Sequence, residues 1–203
     1  MKPSTTFQNP MRAVVVTGAV LLSCTAASAC RDSSPAVPVE AANRIAPAYD
    51  PQGRLTQLAY DSDGNGKHDM WAYMDGAKLI RLEADENGDD TIDRWEYYPA
   101  AGPDGLKQPP ERIERATRHD GKVSRREFFE AGLMVRVEED TDGNGVTDKW
   151  ETYAGGALVT LALDTQGRGK ADRRLIYRPD GSLERIEEDL GGAGEFREVK
   201  WRD

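Results

Sequence analysis

A 24-residue period constrains this chain more than any other feature of its sequence. Aligned with itself, the chain shows blocks beginning at Asp61, Asp85, Ala116, Asp140 and Asp164, with a shortened one at Asp189. The spacing is 24 residues except after Asp85, where seven more precede Ala116, and after Asp164, where one more precedes Asp189. The seven extra residues fall in the Pro/Gly-rich stretch from Pro99 to Pro110, which reads as a loop insertion. A unit this short cannot bury an apolar face alone, so it must stack on copies of itself.

Each block carries two short runs. Ten residues in come Trp71, Trp95, Arg126, Trp150 and Arg174, each followed closely by an aromatic residue: Tyr73, Tyr98, Phe129, Tyr153 and Tyr177. Later an apolar pair recurs three residues apart, as Leu55 and Leu58, Leu79 and Leu82, Met134 and Val137, Leu158 and Leu161, Leu183 and Ile186. Asp75-Gly76, Gly155-Gly156 and Asp180-Gly181 separate the two runs and leave segments too short for ordinary helices. Val135, Val137, Val159 and the aromatic positions favour strands. The pattern predicts an all-β fold over residues 49–203: tandem ~24-residue β-hairpins in an antiparallel meander or a short solenoid-like array. Aromatic and aliphatic side chains are expected on one face and charged ones on the other. The spacing of three in place of two calls for a bulge or for use of both faces.

The segments Tyr49-Asp50-Pro51-Gln52-Gly53-Arg54-Leu55-Thr56 and Tyr177-Arg178-Pro179-Asp180-Gly181-Ser182-Leu183 resemble the Tyr-Asp repeats of Rhs-type bacterial surface proteins. The resemblance covers most of Tyr49 to Asp203 and implies a β-repeat array in an extracytoplasmic setting.

Three blocks open on acidic loops. Asp140-Thr141-Asp142-Gly143-Asn144-Gly145-Val146-Thr147-Asp148-Lys149-Trp150-Glu151 resembles the twelve-residue EF-hand loop. The resemblance assigns oxygen ligands to Asp140, Asp142, Asn144, the Val146 carbonyl, Asp148 and Glu151. Ca²⁺ takes six to eight hard oxygens, and alternate side chains of a tight turn supply them. Thr147 departs from the aliphatic residue usual there, and the glycines at 132 and 155 speak against flanking helices. The expectation is therefore an EF-hand-like loop on a hairpin. Asp61, Asp63, Asn65 and Asp69 keep the early ligands with Ala72 at the twelfth position. Asp85, Asn87, Asp89, Asp93 and Glu96 keep an oxygen at each ligand position, while Asp90 replaces glycine and must adopt a left-handed backbone. Ala116 with Arg118, and Gln166 with Arg168 and Lys170, have lost ligands. Hairpins that do without the acids argue that the retained acids serve a cation. The competing explanation is that Asp and Asn favour turns through their own backbone hydrogen bonds.

The first 29 residues read as a leader. Lys2 and Arg12 precede an apolar run from Ala13 to Leu22 and then small residues through Ala29. The run is about ten residues, against the roughly 20 that a membrane-spanning helix needs. Leu21-Leu22-Ser23-Cys24 and Ala27-Ser28-Ala29-Cys30 both resemble the lipobox of bacterial lipoproteins, which implies lipidation of Cys24 or Cys30 and a membrane anchor in the periplasm or at the cell surface. Residues 30–48 have the composition of a flexible tether. Loss of Lys2 and Arg12 leaves 25 basic against 36 acidic residues, a net charge of −11 that repels nucleic acid and attracts cations. Beyond Cys30 there is no thiol, which excludes disulfides and a cysteine nucleophile, and His68 and His119 are the only histidines. No motif for phosphate binding, a catalytic triad or a zinc site occurs, so the chain reads as a non-enzyme. The expectation is an exported, lipid-anchored, calcium-binding structural or interaction protein of the cell envelope, with an envelope protein or glycan as partner. The alternatives are a carbohydrate-binding or adhesive module without a metal requirement, and a turn-rich scaffold that binds no metal.

Overall fold

The computed structural model describes residues 44–99 and 108–200. The expected leader with Cys24 and Cys30, and most of the expected tether, lie outside these residues. The described residues form thirteen strands and no helix. They are β1 (Ile45–Tyr49), β2 (Leu55–Tyr60), β3 (Met70–Asp75), β4 (Lys78–Ala84), β5 (Arg94–Tyr97), β6 (Arg112–Arg115) and β7 (Arg125–Glu130), then β8 (Leu133–Glu139), β9 (Lys149–Ala154), β10 (Ala157–Leu163), β11 (Arg173–Tyr177), β12 (Leu183–Glu188) and β13 (Arg197–Glu198). All lie in one antiparallel sheet in chain order, and β1 does not pair with β13, so the meander is open. The array begins at Ile45, ahead of the expected boundary at Tyr49.

The spacing of three within the apolar pairs comes from bulges. In each tight hairpin the register skips one residue on the second strand: Thr56 in β2, Ile80 in β4, Val135 in β8, Val159 in β10 and Glu184 in β12. Strand side chains alternate between faces, so one extra residue brings positions three apart onto the same face. Leu79 and Leu82 thus lie opposite Met74 and Ala72, and Leu158 and Leu161 opposite Tyr153 and Glu151.

The same register corrects the expected division of the faces. Trp71 pairs with Glu83 and Tyr73 with Arg81, so the tryptophans share a face with charged residues, and the aliphatic pairs occupy the other. That second face also carries ions: Glu127 lies opposite both Ile113 and Val137, and Arg125 opposite Arg115 and Glu139. The phase between the two strands of a hairpin depends on the bulge, and one strand's alternation does not reveal it.

Substantial contacts join only consecutive strands. With one layer there is little to bury, and Ala59, Ala84, Ala116 and Val137 are the buried apolar residues among those described. Long charged side chains pair instead, along a strand and between neighbouring strands, with their stems over the sheet. Arg125 bonds Glu127 at 2.8 Å and Glu139 at 2.9 Å, and Lys149 bonds Glu151 at 2.8 Å. At one edge, the Asp61 amide donates to the Arg44 carbonyl at 3.0 Å, so strand alternation turns the backbone of Pro47 outward. A proline there removes a donor from the open edge and discourages strand addition.

Candidate metal centres

The meander places the six repeated loops at one end of the sheet, and the tight turns and the inserted connection between β5 and β6 at the other. The loops opening at Asp61, Asp85, Ala116, Asp140, Asp164 and Asp189 therefore form a row. Neighbours across one intervening hairpin stand two strands apart, or about 10 Å. Backbone bonds tie the row together, because the first amide of each loop donates to the ninth carbonyl of the preceding one. These bonds run from Asp85 to Asp69 (2.9 Å), Ala116 to Asp93 (2.7 Å), Asp140 to Ser124 (2.8 Å), Asp164 to Asp148 (2.8 Å) and Asp189 to Asp172 (2.8 Å).

All six loops share a backbone. The fourth and sixth residues have positive φ: Gly64 and Gly66, Gly88 and Asp90, His119 and Gly121, Gly143 and Gly145, Gly167 and Gly169, Gly192 and Gly194. Asp90 adopts φ 68, the left-handed geometry its place in the sequence demands. In the first five loops the ninth side chain receives the second amide. Asp69 bonds Ser62 N at 3.0 Å, Asp93 bonds Glu86 N at 3.1 Å and Ser124 bonds Thr117 N at 2.9 Å. Asp148 and Asp172 each bond a threonine amide, of Thr141 and Thr165, at 3.1 Å. Asp140 receives Gly143 N at 2.7 Å and Gly145 N at 2.9 Å, one on each oxygen. Asp61 is bonded alike by Gly64 N at 2.6 Å and Gly66 N at 2.9 Å. Asp61 Oδ1 also accepts Asn65 N at 3.2 Å and Asp140 Oδ2 accepts Arg118 at 3.2 Å, so Asp61 Oδ2 and Asp140 Oδ1 are the oxygens that keep a lone pair for another partner.

In two loops three carboxylates converge. Asp61, Asp63 and Asp69 form one group and Asp140, Asp142 and Asp148 the other, with one oxygen from each residue within 4.8 Å of its companions' oxygens. In each group the first aspartate is buried, the second exposed and the third half-buried. Burial pushes the Asp61 and Asp140 carboxyls up, but the loop amides outweigh it and both end below the ordinary value. The opposing bonds come from Gly66 and Gly64 on Asp61, and from Gly145 and Gly143 on Asp140, where Arg118 adds to them. Both first carboxylates therefore stay ionised to a lower pH than an ordinary aspartate does. Three anionic oxygens in one loop, beside an asparagine oxygen, are a hard-donor set that suits a divalent cation of the Ca²⁺ or Mg²⁺ type.

Other candidate ligands take different places. Asn65 and Asn144 lie in the two converging loops, where each oxygen accepts the amide of Lys67 or Val146 at 2.7 Å. Glu151 stands on β9, bonded by Lys149 Nζ at 2.8 Å and Tyr153 Oη at 2.7 Å, outside its acidic group. Burial, then the bond to Glu151, pushes the Tyr153 hydroxyl up to about 12. Glu96 on β5 is likewise held by Arg94 at 3.4 Å and by Tyr98. In these two blocks the twelfth position is thus a strand residue whose carboxylate pairs with the residues two before and two after it. The Asp85 loop does not form a converging group. Asp85 accepts Gly88 N at 2.7 Å and Asp90 N at 2.8 Å, Asn87 donates to Asp89 at 3.0 Å, and Asp93 meets His119 Nδ1 at 3.1 Å.

The sequence reading noted three basic residues without the acidic partners that the structure gives them. His119, in the next loop, serves Asp93, which is 1% exposed. Arg168 lies 3.6 Å from Asp172 in its own loop. Arg118 reaches to the Asp140 carbonyl at 3.1 Å and carboxylate at 3.2 Å. A side-chain cation thus meets the ninth aspartate in the loops at Asp85 and Asp164. Among the described residues none meets Asp69 or Asp148, the ninth aspartates of the two converging groups. No single-loop signal in the sequence announces these partners, because two of the three act between loops.

Compared with known proteins, the chain matches no family model and no curated protein.

Proposed function

We propose that this protein is a calcium-stabilised β-repeat array of the bacterial cell envelope, exported and held to a membrane by a lipid on Cys24 or Cys30. It acts as a structural or interaction module. The convergence of three aspartates in each of two loops carries the metal reading, since sister loops build the same turn without those acids. Ca²⁺ suits the sites better than Mg²⁺ because the loops offer several protein oxygens on an irregular frame, whereas Mg²⁺ demands a near-ideal octahedron and keeps its waters. Asp61, Asp63, Asn65 and Asp69 would hold one ion, and Asp140, Asp142, Asn144, the Val146 carbonyl and Asp148 the other, with water completing each shell. The ion neutralises clustered carboxylates and favours the folded array by mass action.

Melting curves in millimolar Ca²⁺ and in EGTA test the metal reading, which expects a higher transition with Ca²⁺ and fails if the curves coincide. Mass spectrometry of the membrane-extracted protein tests the anchor. A diacylglyceryl adduct on an N-terminal Cys24 or Cys30 is expected, and an unmodified N-terminus at Cys30 would refute lipidation.

A further inference from the structure

The sheet face opposite the aliphatic pairs carries Trp71, Trp95 and Trp150, which the loop chemistry does not use. Register sets them in one row across the strands. Trp71 and Trp95 both lie opposite Glu83, Trp95 also lies opposite Glu114, Arg126 lies between Glu114 and Glu138, and Trp150 lies opposite Glu138. At about 4.8 Å per strand, Trp71 and Trp95 are about 10 Å apart and Trp95 and Trp150 about 19 Å, multiples of one interval.

The neighbouring row differs in a telling way. There guanidiniums occupy the rings: Arg112 lies 4.1 Å from the centre of Tyr97, Arg136 3.9 Å from Phe128 and Arg81 5.3 Å from Tyr73. Among the described residues no guanidinium covers the three indoles, which are half-buried by their strand neighbours and have no second layer above them. The acids between them are already matched. Glu83 accepts Tyr73 Oη at 2.7 Å and pairs with Arg81, Glu114 accepts Tyr97 Oη at 3.1 Å and pairs with Arg126 at 3.4 Å, and Glu138 pairs with Arg136. The row is therefore polar and charge-balanced, with half-buried indoles that no guanidinium covers among the described residues, set at multiples of one interval. Its complement is a neutral, extended ligand that shows an apolar face at the same interval and hydroxyls between.

We propose that this row binds a single chain of a neutral β-linked polysaccharide running across the strands. Alternate pyranose rings lay their C–H faces on Trp71 and Trp95, a more distant ring meets Trp150, and Glu83, Arg126 and Glu138 bond the hydroxyls. Each strand turns by roughly 20–25° relative to the next, so the indoles rotate about the row and suit one flexible chain better than the flat face of a crystalline polymer. The inference is independent of the metal reading.

Calorimetry on the purified protein with soluble cellulose-, xylan- and chitin-derived oligosaccharides tests it, with EGTA present to separate it from calcium. At least one series binds: the disaccharide undetectably, the trisaccharide measurably, and the heptasaccharide about tenfold more tightly because it is long enough to reach from Trp71 through Trp95 to Trp150. Trp71→Ala weakens the trisaccharide at least tenfold, and Trp95→Phe, which keeps a ring and guards against misfolding, retains most of the affinity. No binding by the folded protein in any series would overturn the proposal, as would binding that Trp71→Ala leaves unchanged.

Discussion

Loops 140–148 and 116–124 have the same backbone and opposite chemistry. Both turn through positive φ at their fourth and sixth residues, at Gly143 and Gly145 in one and at His119 and Gly121 in the other. Both fasten the second amide to the ninth side chain, which is Asp148 in one and Ser124 in the other. Where Asp140 takes two loop amides on its carboxylate, Ala116 offers its own carbonyl to His119 N at 2.9 Å. The turn therefore closes without a first aspartate. What the acidic loop adds is a cluster of like charges, which is unfavourable unless a counter-charge answers it. Loop 116–124 even exports such charge, sending Arg118 to Asp140 and His119 to Asp93.

The contrast is broken most directly by removing the acids. In about 10 mM Ca²⁺, roughly 10–100 times the dissociation constant usual for extracellular loops, one site stabilises by about 1.4–2.7 kcal/mol. For a domain of this size that amounts to a melting shift of several degrees, on the order of 2–4 °C per kcal/mol. Asp140→Ala combined with Asp142→Ala is expected to remove one site's share of the shift and leave the other's, read by calorimetric melting with and without EGTA. The converse experiment grafts the acids onto the neutral frame. Ala116→Asp, Arg118→Asp, His119→Gly, Asp120→Asn and Ser124→Asp together should add one bound Ca²⁺ per chain by equilibrium dialysis, and an unchanged stoichiometry would show that the frame is not a sufficient scaffold.

A smaller effect is expected from pH in EGTA. Asp61 and Asp140 fold with pKa values below 3.8, so their contribution is fully present above 3.8 and is lost as the pH falls through the lower folded values. His119 is raised above 6.5, first by its hydrogen bond to Asp93 and then by the charges of Asp93, Asp89 and Glu86. Its contribution is therefore fully present below 6.5 and disappears as the pH rises through the higher folded value. His119→Asn should erase the alkaline step in the melting temperature and leave the acid step alone. The smallest expected change comes from Arg118→Gln, which takes a positive charge from Asp140 and should tighten Ca²⁺ at that loop about two- to fivefold in a titration, the scale of an exposed ion pair.

The hairpins were legible because glycine pairs and β-branched runs punctuate the chain at a fixed period, and the bulges because Leu79 and Leu82 sit three apart. The faces were not. Trp71 and Leu82 both look like core residues in a one-dimensional pattern, and only the skipped register at Ile80 sends them to opposite sides. Spacing picked out the acids that converge as far as the ninth position in the loops at Asp61 and Asp140, but the Asp85 loop keeps the same spacing and its carboxylates stay apart. Beyond the ninth position the helical EF-hand pattern misleads, since here the twelfth residue stands on a strand, where Glu151 answers Lys149 and Tyr153. Contacts between loops, such as Arg118 on Asp140, depend on a strand pairing that no single block encodes.

Isothermal titration of the metal-free protein with CaCl₂ at neutral pH addresses the central claim most directly. The account predicts a saturable heat with two ions per chain and dissociation constants of about 10⁻⁴ to 10⁻³ M. A trace indistinguishable from buffer into several millimolar Ca²⁺, from protein shown to be folded, would contradict it and leave the aspartates as turn formers alone.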